Sequence, residues 1–473
     1  MLLSTSFLTA FLSLDEDHPQ SILTQRSLAA IMPRLQYIVS PSCQPAMTAV
    51  LSYLTLEDVL ELARTCRAFR RLPKELQATK YNINPDLKGF FKDPKEFRSV
   101  QAQCNAVIVE GFARKFFART TADQRLLDIY VVEDHYKTFR RYLKKEGYKL
   151  HSPDDDREWF RKKDAEKVRW TIVIESEAET VVDNLFKWAM TTACLHLITW
   201  NKAYALFPYT TFVRKECYLV KELADDVADY CVRIEEKEHV RVKSISWKQK
   251  GISGNCDTLT RRRRIGDEYT WKIQLNTNGV VPSEIPDRVL ECSAFNLAPK
   301  ESEFSLDGGP AMRYEIRYDV WTHASLRYQY VTLKQCEDET KCDARCIRPY
   351  CHRLTELSRR LDEGCLTSVM KLPSEKRPEG LQRFNKGKFT SAEMMDSVTK
   401  SGTWEYCDDE AMDFLEGTFM EQCEADVSAE RPWGEGRSRK RKWEIEDWSR
   451  DAALNLKNGL RALAMGAVVG CYF

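Results

Sequence analysis

The chain lacks an excess of either sign of charge, since 72 Lys and Arg residues stand against 71 Asp and Glu residues in a total of 473. This balance excludes a globally basic nucleic-acid binder and an acidic tail protein, and makes nucleic acid an unlikely partner. The composition is not that of a disordered scaffold either, because 43% of the residues are hydrophobic and 11% are aromatic. We expect a folded α+β protein of about two to four domains.

Long apolar runs are also missing. The apolar stretch over 462–473 has twelve residues, whereas a membrane span needs about twenty. The apolar start over 1–14 carries no basic residue and runs directly into the acidic Asp15, Glu16 and Asp17, unlike a secretory signal. We therefore expect no membrane partner and a location in the nucleus or the cytoplasm.

The sixteen cysteines show neither a disulfide framework nor paired C-x-x-C knuckles, which favours a reducing compartment. Four of them and one histidine lie within seventeen residues, and could complete a tetrahedral zinc site if the loop closes: Cys336, Cys342, Cys346, Cys351 and His352. Their irregular spacing favours thiols in a polar loop instead. We expect no bound cofactor, with zinc as the alternative.

The first folded segment is a small helical module over 43–80, after a leader over 1–42 that we expect to be disordered. Thr55 and Asp58 form a capping pair, and apolar residues follow at helical spacing from Val59 to Cys66. About thirty residues are too few to bury a core, so this bundle needs a partner or a neighbouring domain.

The stretch SYLTLEDVLELARTCRAFR over 52–70 resembles the second half of an F-box. The resemblance implies docking on a Skp-type adaptor of a cullin ubiquitin ligase, in which an apolar helix enters a groove. The implied anchors are Leu51, Leu54, Leu56 and Val59. The usual Leu-Pro opening is absent, since Ser42 and Cys43 occupy that place. The alternative is that these helices only cap the next domain.

Strand-like and helical patterns alternate over 81–235, which predicts a mixed α/β domain. The predicted strands are 106–109, 126–132 and 170–174, the covering helices are 135–146 and 180–193, and a loop or helix end follows over 199–212. A β-rich region over 236–370 should pack on this domain. Beyond it, we expect a low-order tail over 371–473 with short helices near 407–425 and 449–465.

The order strand, glycine, helix and strand with an acidic residue over 92–134 resembles the head of a nucleotidyltransferase-like fold. More closely, the stretch 84–297 is similar to a fungal family without an assigned activity, in which an F-box-like segment precedes a degenerate domain of this kind. Active nucleotidyltransferases hold the triphosphate at a Gly-Ser helix start. They hold two Mg²⁺ with two carboxylates one residue apart on a strand and a third on a later strand.

The resemblance places these functions on few residues of this chain. Gly111 remains as a nucleotide-binding residue, but Phe112 replaces the serine. Asp128 matches the second carboxylate, Leu126 stands in place of the first, and Glu175 is a displaced candidate for the third. One carboxylate cannot bridge two divalent ions, so we expect no catalytic residue and a catalytically inactive domain.

An atypical transferase is the alternative, with Asp128 and Glu175 as ligands helped by Asp123 or Glu110. In the inactive interpretation, Asp128 is paired with a cation such as Arg125 or Lys115. The leading hypothesis is thus an interaction protein that joins an adaptor-docking segment to a domain that presents a surface to an unidentified client.

Other patterns favour structural roles, with one exception. His196 lies between two leucines and is expected in the core, as is the aromatic set Trp200, Tyr204, Phe207 and Tyr209. The run 261–264 is four arginines, which favours a solvated turn over a phosphate grip. The exception is a predicted nuclear import signal, Arg437, Arg439, Lys440, Arg441 and Lys442. A nuclear nucleic-acid-binding adaptor built on these two basic runs is a further alternative.

Overall fold

The computed structural model describes residues 81–120, 126–153, 157–163, 168–176, 180–222, 224–243, 259, 261–302, 311–323, 325–334, 348–371, 373–376 and 406–429. The chain divides into two compact units, Met1–Leu54 with Asp58–Lys80 and Thr55–Glu57 with Tyr81–Phe473. Every described residue belongs to the second unit. The leader over 1–42 and the F-box-like module over 43–80 therefore lie outside the described residues.

Helices and strands are mixed along the second unit. The helices are α1 (Asn84–Leu87), α2 (Pro94–Gln103), α3 (Glu110–Ala118), α4 (Glu133–Lys145), α5 (Val181–Trp188), α6 (Asp225–Glu238), α7 (Asp287–Glu291), α8 (Arg348–Met370) and α9 (Asp408–Ala429). The strands are β1 (Val107–Val109), β2 (Leu126–Val132), β3 (Lys149–Pro153), β4 (Glu158–Lys163), β5 (Val168–Ser176), β6 (His196–Ile198), β7 (Lys202–Ala205), β8 (Glu216–Tyr218), β9 (Arg241–Lys243), β10 (Arg262–Arg264), β11 (Trp271–Gln274), β12 (Ala294–Ser302), β13 (Ala311–Arg317), β14 (Asp319–Trp321) and β15 (Tyr330–Thr332). The expected α+β class is confirmed at this level. In the described part of the chain, no helix has both the length and the apolar character that crossing a bilayer requires.

Eight strands form the central sheet in the order β11-β7-β6-β1-β2-β5-β4-β3. Strands β2 and β5 run parallel, and every other neighbouring pair in this sheet is antiparallel. Strands β10, β12 and β13 form a second sheet, and β14–β15 and β8–β9 form two-stranded sheets. The pair β1–β2 therefore lies in the middle of the largest sheet that the described residues form.

Other elements cover both faces of the strand pair β1–β2, as the nearly continuous apolar sequence of these strands predicts. Val107, Val109 and Tyr130 pack in one cluster with apolar residues of α5 and β12. Ile108 and Ile129 alternate with them on the strands and are fully buried on the other side. Helices α3 and α4 both contact β2. Because both faces are covered, Asp128, the one charged residue of β2, stands out among its apolar neighbours.

The strands predicted around this centre lie close to the observed ones, but the segment 199–212 differs from the expectation. It was expected as a loop or helix end, whereas 202–205 is strand β7, paired with β6 and β11, and Tyr209–Val213 is a π-helical turn. The reason is that Ala203, Tyr204 and Ala205 are all fully buried. Two alanines around one tyrosine fit the inside of a covered sheet, although alanine favours helices locally.

The region over 236–370 holds strands β9 to β15, but it also holds the 23-residue helix α8. Its buried residues recur at helical spacing: Tyr350, Leu354, Leu357, Leu361 and Cys365. Helix α9, in the segment where a short helix was expected near 407–425, packs on α8 through Ala411, Met412, Leu415 and Phe419. The other helix expected in the tail, near 449–465, lies outside the described residues.

Candidate functional site

The junction between β1 and α3 carries backbone strain. Glu110, the first residue of α3, has a φ of +57°, in the left-handed region that favours glycine. Gly111 follows it in ordinary helical geometry, and a Cβ built on Gly111 meets nothing within 4 Å. The glycine is thus not required by the fold, while the glutamate is held in a conformation that costs about 1–3 kcal/mol. Strain of this size is typical of positions that orient a side chain for a purpose.

Asp128 lies beside this junction. In the sheet it is registered with Val109 of β1 and with Ile172 of β5, and it is 8% exposed. Burial, followed by the charge of Glu110, raises the pKa of Asp128 to about 7, against the opposing effect of nearby arginines. Burial likewise raises the pKa of Glu110. Two carboxyl groups in one poorly hydrated place resist carrying two negative charges, so the protonated forms are favoured.

A buried arginine connects this pair to helix α6. Arg114 of α3 is 4% exposed, and its Nε and Nη2 atoms lie 2.5 and 2.6 Å from the carboxylate oxygens of Glu238. Its Nη1 atom donates to the Tyr230 hydroxyl oxygen at 3.1 Å, and the Cys194 thiol donates to the same oxygen at 3.2 Å. Burial would raise the pKa of Glu238, but the hydrogen bond and charge of Arg114 outweigh it and lower that pKa. Arg114 therefore stays charged within reach of the carboxyl pair.

Further cations act on the carboxyl pair. Arg157 and Arg233 both act on Asp128 electrostatically and lower its pKa, opposing burial. The Arg157 guanidinium carbon and the Lys221 ammonium each lie 4.8 Å from the centre of the Trp188 ring, which is within cation–π range. Burial, which disfavours the charged form, lowers the pKa of Lys221. The chain itself thus supplies the positive charge that surrounds its carboxyl pair.

The other positions implied by the nucleotidyltransferase resemblance do not add carboxylates here. Leu126 is an exposed leucine at the start of β2, with 41% of its surface accessible, and Phe112 is buried. Glu175 is registered with Val131, three residues beyond the partner of Asp128. Its side chain, like Asp123 and Arg125 as a whole, lies outside the described residues. The structure brings Asp128 together with Glu110, and sequence reasoning named Glu110 only as a secondary ligand.

The donor set does not fit two divalent ions. Among the described residues, no three His, Cys, Asp or Glu side chains are placed so that they could share a metal ion. The two carboxyl groups lie near guanidinium groups, and their raised pKa values disfavour the ionised form that metals need. No step of phosphoryl transfer through a metal pair is derived from this geometry.

Sequence reasoning missed the cations of the site and their connectors: Arg114, Arg157, Lys221, Tyr230, Arg233 and Glu238. They are spread over a stretch of 125 residues, 114–238, and share no local motif. The sequence pattern gave no signal for Arg114, because a residue two positions from both Phe112 and Phe116 lies on the opposite side of the helix from them. Its burial follows only from the elements that surround α3 in the fold.

The remaining predicted sites fall in several places. His196 is fully buried, its Nδ1 atom lies 2.9 Å from the Ala193 carbonyl oxygen, and burial lowers its pKa to about 3. It is a core histidine. Tyr204 and Phe207 are buried, and Trp200 and Tyr209 are half-buried. In α8, Cys351 is half-buried and His352 exposed, while the other proposed zinc ligands, the basic run 437–442 and the adaptor anchors lie outside the described residues.

The arginine run 261–264 does not form one basic face. Arg263 is 1% exposed and donates from Nε to Asp267 at 2.6 Å and from Nη2 to the Leu206 carbonyl at 2.8 Å. Arg264 lies 4.7 Å from the centre of the Phe419 ring in α9. The expected solvated turn is therefore replaced by a strand, β10, because Arg263 finds a buried carboxylate four residues away.

Comparisons with known proteins find little similarity to this chain. No protein-family model matches it, and no curated protein does. A solved complex of a CCA-adding enzyme with CTP is similar at 16% sequence identity and a TM-score of 0.26, over 34% of this chain and 42% of that one. The chain thus matches less than half of that enzyme, and a likeness at this level carries no argument about fold or function.

Proposed function

We propose that this chain is an interaction protein whose central domain is a nucleotidyltransferase-like fold that binds rather than catalyses. The observation that supports this most directly is the environment of Asp128. It interacts electrostatically with Glu110 at the end of the neighbouring strand, and the positive charge around it comes from Arg114, Arg157 and Arg233. Leu126 and Ile172 stand where further metal ligands would be needed.

The electrostatics of this centre favours binding over catalysis. Two bridging divalent ions would bring about four positive charges next to the Arg114 guanidinium, which is held in place by Glu238 and Tyr230. Displacing a buried arginine from a bidentate carboxylate costs about 3–5 kcal/mol before any metal ligand is gained. The arginine network therefore favours a stable, non-catalytic centre.

The second half of the proposal concerns the segment 52–70. Its resemblance to an F-box supports docking on a Skp-type adaptor of a cullin ubiquitin ligase, with the central domain presenting a client protein. The proposed anchors are Leu51, Leu54, Leu56 and Val59. Location in the nucleus or the cytoplasm belongs to the same proposal, with the basic run 437–442 as the import signal.

A second candidate is supported by one observation, the electrostatic interaction of Glu110 with Asp128 beside the junction of β1 and α3. Two carboxyl groups at a helix start are the minimum from which an atypical metal-dependent transferase could be built. Pyrophosphate release from the four nucleoside triphosphates, with Mg²⁺ or Mn²⁺, separates the candidates. We expect no release above background from the full chain. Metal-dependent release that Asp128→Asn abolishes would establish the transferase and overturn the binding proposal.

Adaptor docking is tested by co-purification of the full chain with a Skp-type adaptor. We expect association, and loss of it in the double variant Leu54→Asp, Val59→Asp. The matched control is Glu61→Ala, on the polar side of the same predicted helix, which should keep the association. Absence of any association in the unaltered chain would remove the ligase half of the proposal and leave the central domain's assignment standing.

A further inference from the structure

Three cations contact the ring of Trp188, the last residue of α5. The Arg157 guanidinium carbon and the Lys221 ammonium each lie 4.8 Å from the ring centre, and the Lys187 ammonium lies 5.8 Å from it. Trp188, Arg157 and Lys221 are half-buried, whereas Lys187 is exposed. A cation–π contact attracts a cation to the ring but brings no negative charge, so three positive charges remain around one indole.

These cations have no acidic partner in contact with them. In the described part of the chain, no carboxylate forms an ion pair with Arg157, Lys187 or Lys221. Burial and, less strongly, the charge of Arg157 lower the pKa of Lys221, against the opposing effect of Asp226. Two cations held on one half-buried ring repel each other, so this place favours an anion that the described residues do not supply.

The nearby acids do not compensate the cations fully. Burial raises the pKa values of Glu110 and Asp128, which favours their neutral forms. Glu238 already accepts from Arg114 with both of its carboxylate oxygens. Arg233 adds a further exposed cation, which acts electrostatically on both Glu110 and Asp128. The surroundings of the carboxyl pair therefore carry an excess of positive charge.

The excess charge is spread over two places. Arg157 and Lys221 lie at the Trp188 ring, whereas the Arg233 guanidinium carbon lies 5.5 Å from the centre of the Tyr230 ring on α6. A ligand that contacts both places needs at least two separated negative groups. An extended chain provides them, and its neutral backbone can lie beside the carboxyl pair, where a protonated acid donates to a carbonyl oxygen.

We propose that the cations beside the Trp188 and Tyr230 rings bind an acidic peptide segment of a client protein. The cations concerned are Arg157, Lys187, Lys221 and Arg233. Spaced Asp or Glu carboxylates of the client meet them, as basic clusters recognise acidic motifs elsewhere, and the complementary charges select for a client of negative charge. This inference rests on the proposed binding function of the central domain and gives its client a chemical class.

The test is fluorescence anisotropy of labelled peptides of about eight residues with the full chain. One peptide alternates Asp and Glu, and the matched control alternates Asn and Gln. We expect the acidic peptide to bind with a Kd of about 0.1 mM or lower, and the amide peptide not to bind. Raising the salt from about 50 to about 300 mM should weaken binding at least about threefold, because the contacts join charges. No binding of the acidic peptide, or equal binding of both peptides, would refute the proposal.

Two further probes test the class of ligand. Inorganic pyrophosphate, a compact anion, should displace the peptide only at concentrations well above the Kd of the peptide. A labelled oligouridylate of the same length should bind more weakly than the acidic peptide. Tighter binding of the oligouridylate would assign the cations to nucleic acid, and displacement by pyrophosphate below the Kd of the peptide would assign them to a compact anion. Either result contradicts the proposal.

Variants locate the binding. The double variant Lys187→Glu, Arg233→Glu reverses one exposed charge beside each ring and should weaken peptide binding at least about tenfold. The control Lys137→Glu, Lys144→Glu makes the same change in net charge at exposed positions of α4, and should alter the Kd by no more than about twofold. All four positions lie on the surface, so the fold is kept. Equal effects of the two double variants would place the peptide elsewhere and refute the assignment.

Failure of this inference can be distinguished from failure of the proposed function. Metal-dependent pyrophosphate release that Asp128→Asn abolishes would overturn the binding function, whatever the peptide result. If there is no such release, absence of peptide binding removes the acidic client alone and leaves the central domain without catalytic activity.

Discussion

Replacing Asp128 by Asn removes the ionisable group at the centre of β2 while keeping its size. In the folded chain, burial and the charge of Glu110 raise the pKa of Asp128 from 3.8 to about 7. An acid with a higher pKa in the folded than in the unfolded state holds its proton more tightly when folded. Stability is therefore lost as the pH rises from 3.8 through about 7, and changes little beyond.

The size of the effect follows from the same two values. At about 1.4 kcal/mol per pKa unit, the difference between 3.8 and about 7 sets an upper limit of about 4 kcal/mol. Movement of the Arg157 side chain or entry of water would relieve part of this penalty. We expect Asp128→Asn to stabilise the folded chain by about 1–2 kcal/mol at pH 8, and by much less near pH 4.5.

Urea unfolding of the full chain at both pH values, followed by far-UV circular dichroism, measures this difference. The matched control is Asp229→Asn, an exposed acid on α6, whose effect should stay within about 0.5 kcal/mol at both pH values. The reasoning is refuted if Asp128→Asn destabilises the chain at pH 8, or if its effect is the same at both pH values. Either result would mean that the carboxylate is held ionised by the arginines.

Four further substitutions have definite expectations, each measured by denaturant unfolding. Gly266→Ala should destabilise the chain by about 2 kcal/mol or more, because the new Cβ would lie 2.8 Å from a backbone oxygen at the end of α7. Gly111→Ala is its control: the position has open space around it, so the substitution should be neutral or stabilise the chain by up to about 1 kcal/mol. Arg114→Met should cost about 3–5 kcal/mol, and less when combined with Glu238→Gln, since the second change removes the stranded charge; equal costs would contradict the pairing. Asp408→Ala should cost about 2 kcal/mol and speed amide exchange in α9, because this carboxylate accepts from two backbone amides and a tyrosine hydroxyl.

The central strands could be predicted from the sequence because their information is local. The run 126–132 is apolar, β-branched and uninterrupted except for Asp128, and β2 has the same bounds. Segment 202–205 could not be predicted in this way, since Lys-Ala-Tyr-Ala is a strand only because β6 and β11 flank it. A short segment whose state depends on its neighbours in the sheet carries too little signal of its own.

The candidate site was predictable only in part for the same reason. The lone acid and the missing carboxylates around it are visible in the sequence. The partners of Asp128 are not, because Arg157 and Arg233 reach it from far along the chain. The strain at the junction was not predicted either, since Glu110 rather than the adjacent Gly111 takes the left-handed conformation.

The central claim is that burial raises the pKa values of Glu110 and Asp128, that this carboxyl pair lies among this chain's own arginines, and that it holds no catalytic metal. The most direct measurement is the anomalous diffraction of a crystal grown with Mn²⁺ and a non-hydrolysable nucleoside triphosphate. The account predicts no manganese peak within about 2.5 Å of the Asp128 carboxylate. Two peaks bridged by that carboxylate, with the triphosphate bound beside them, would contradict it.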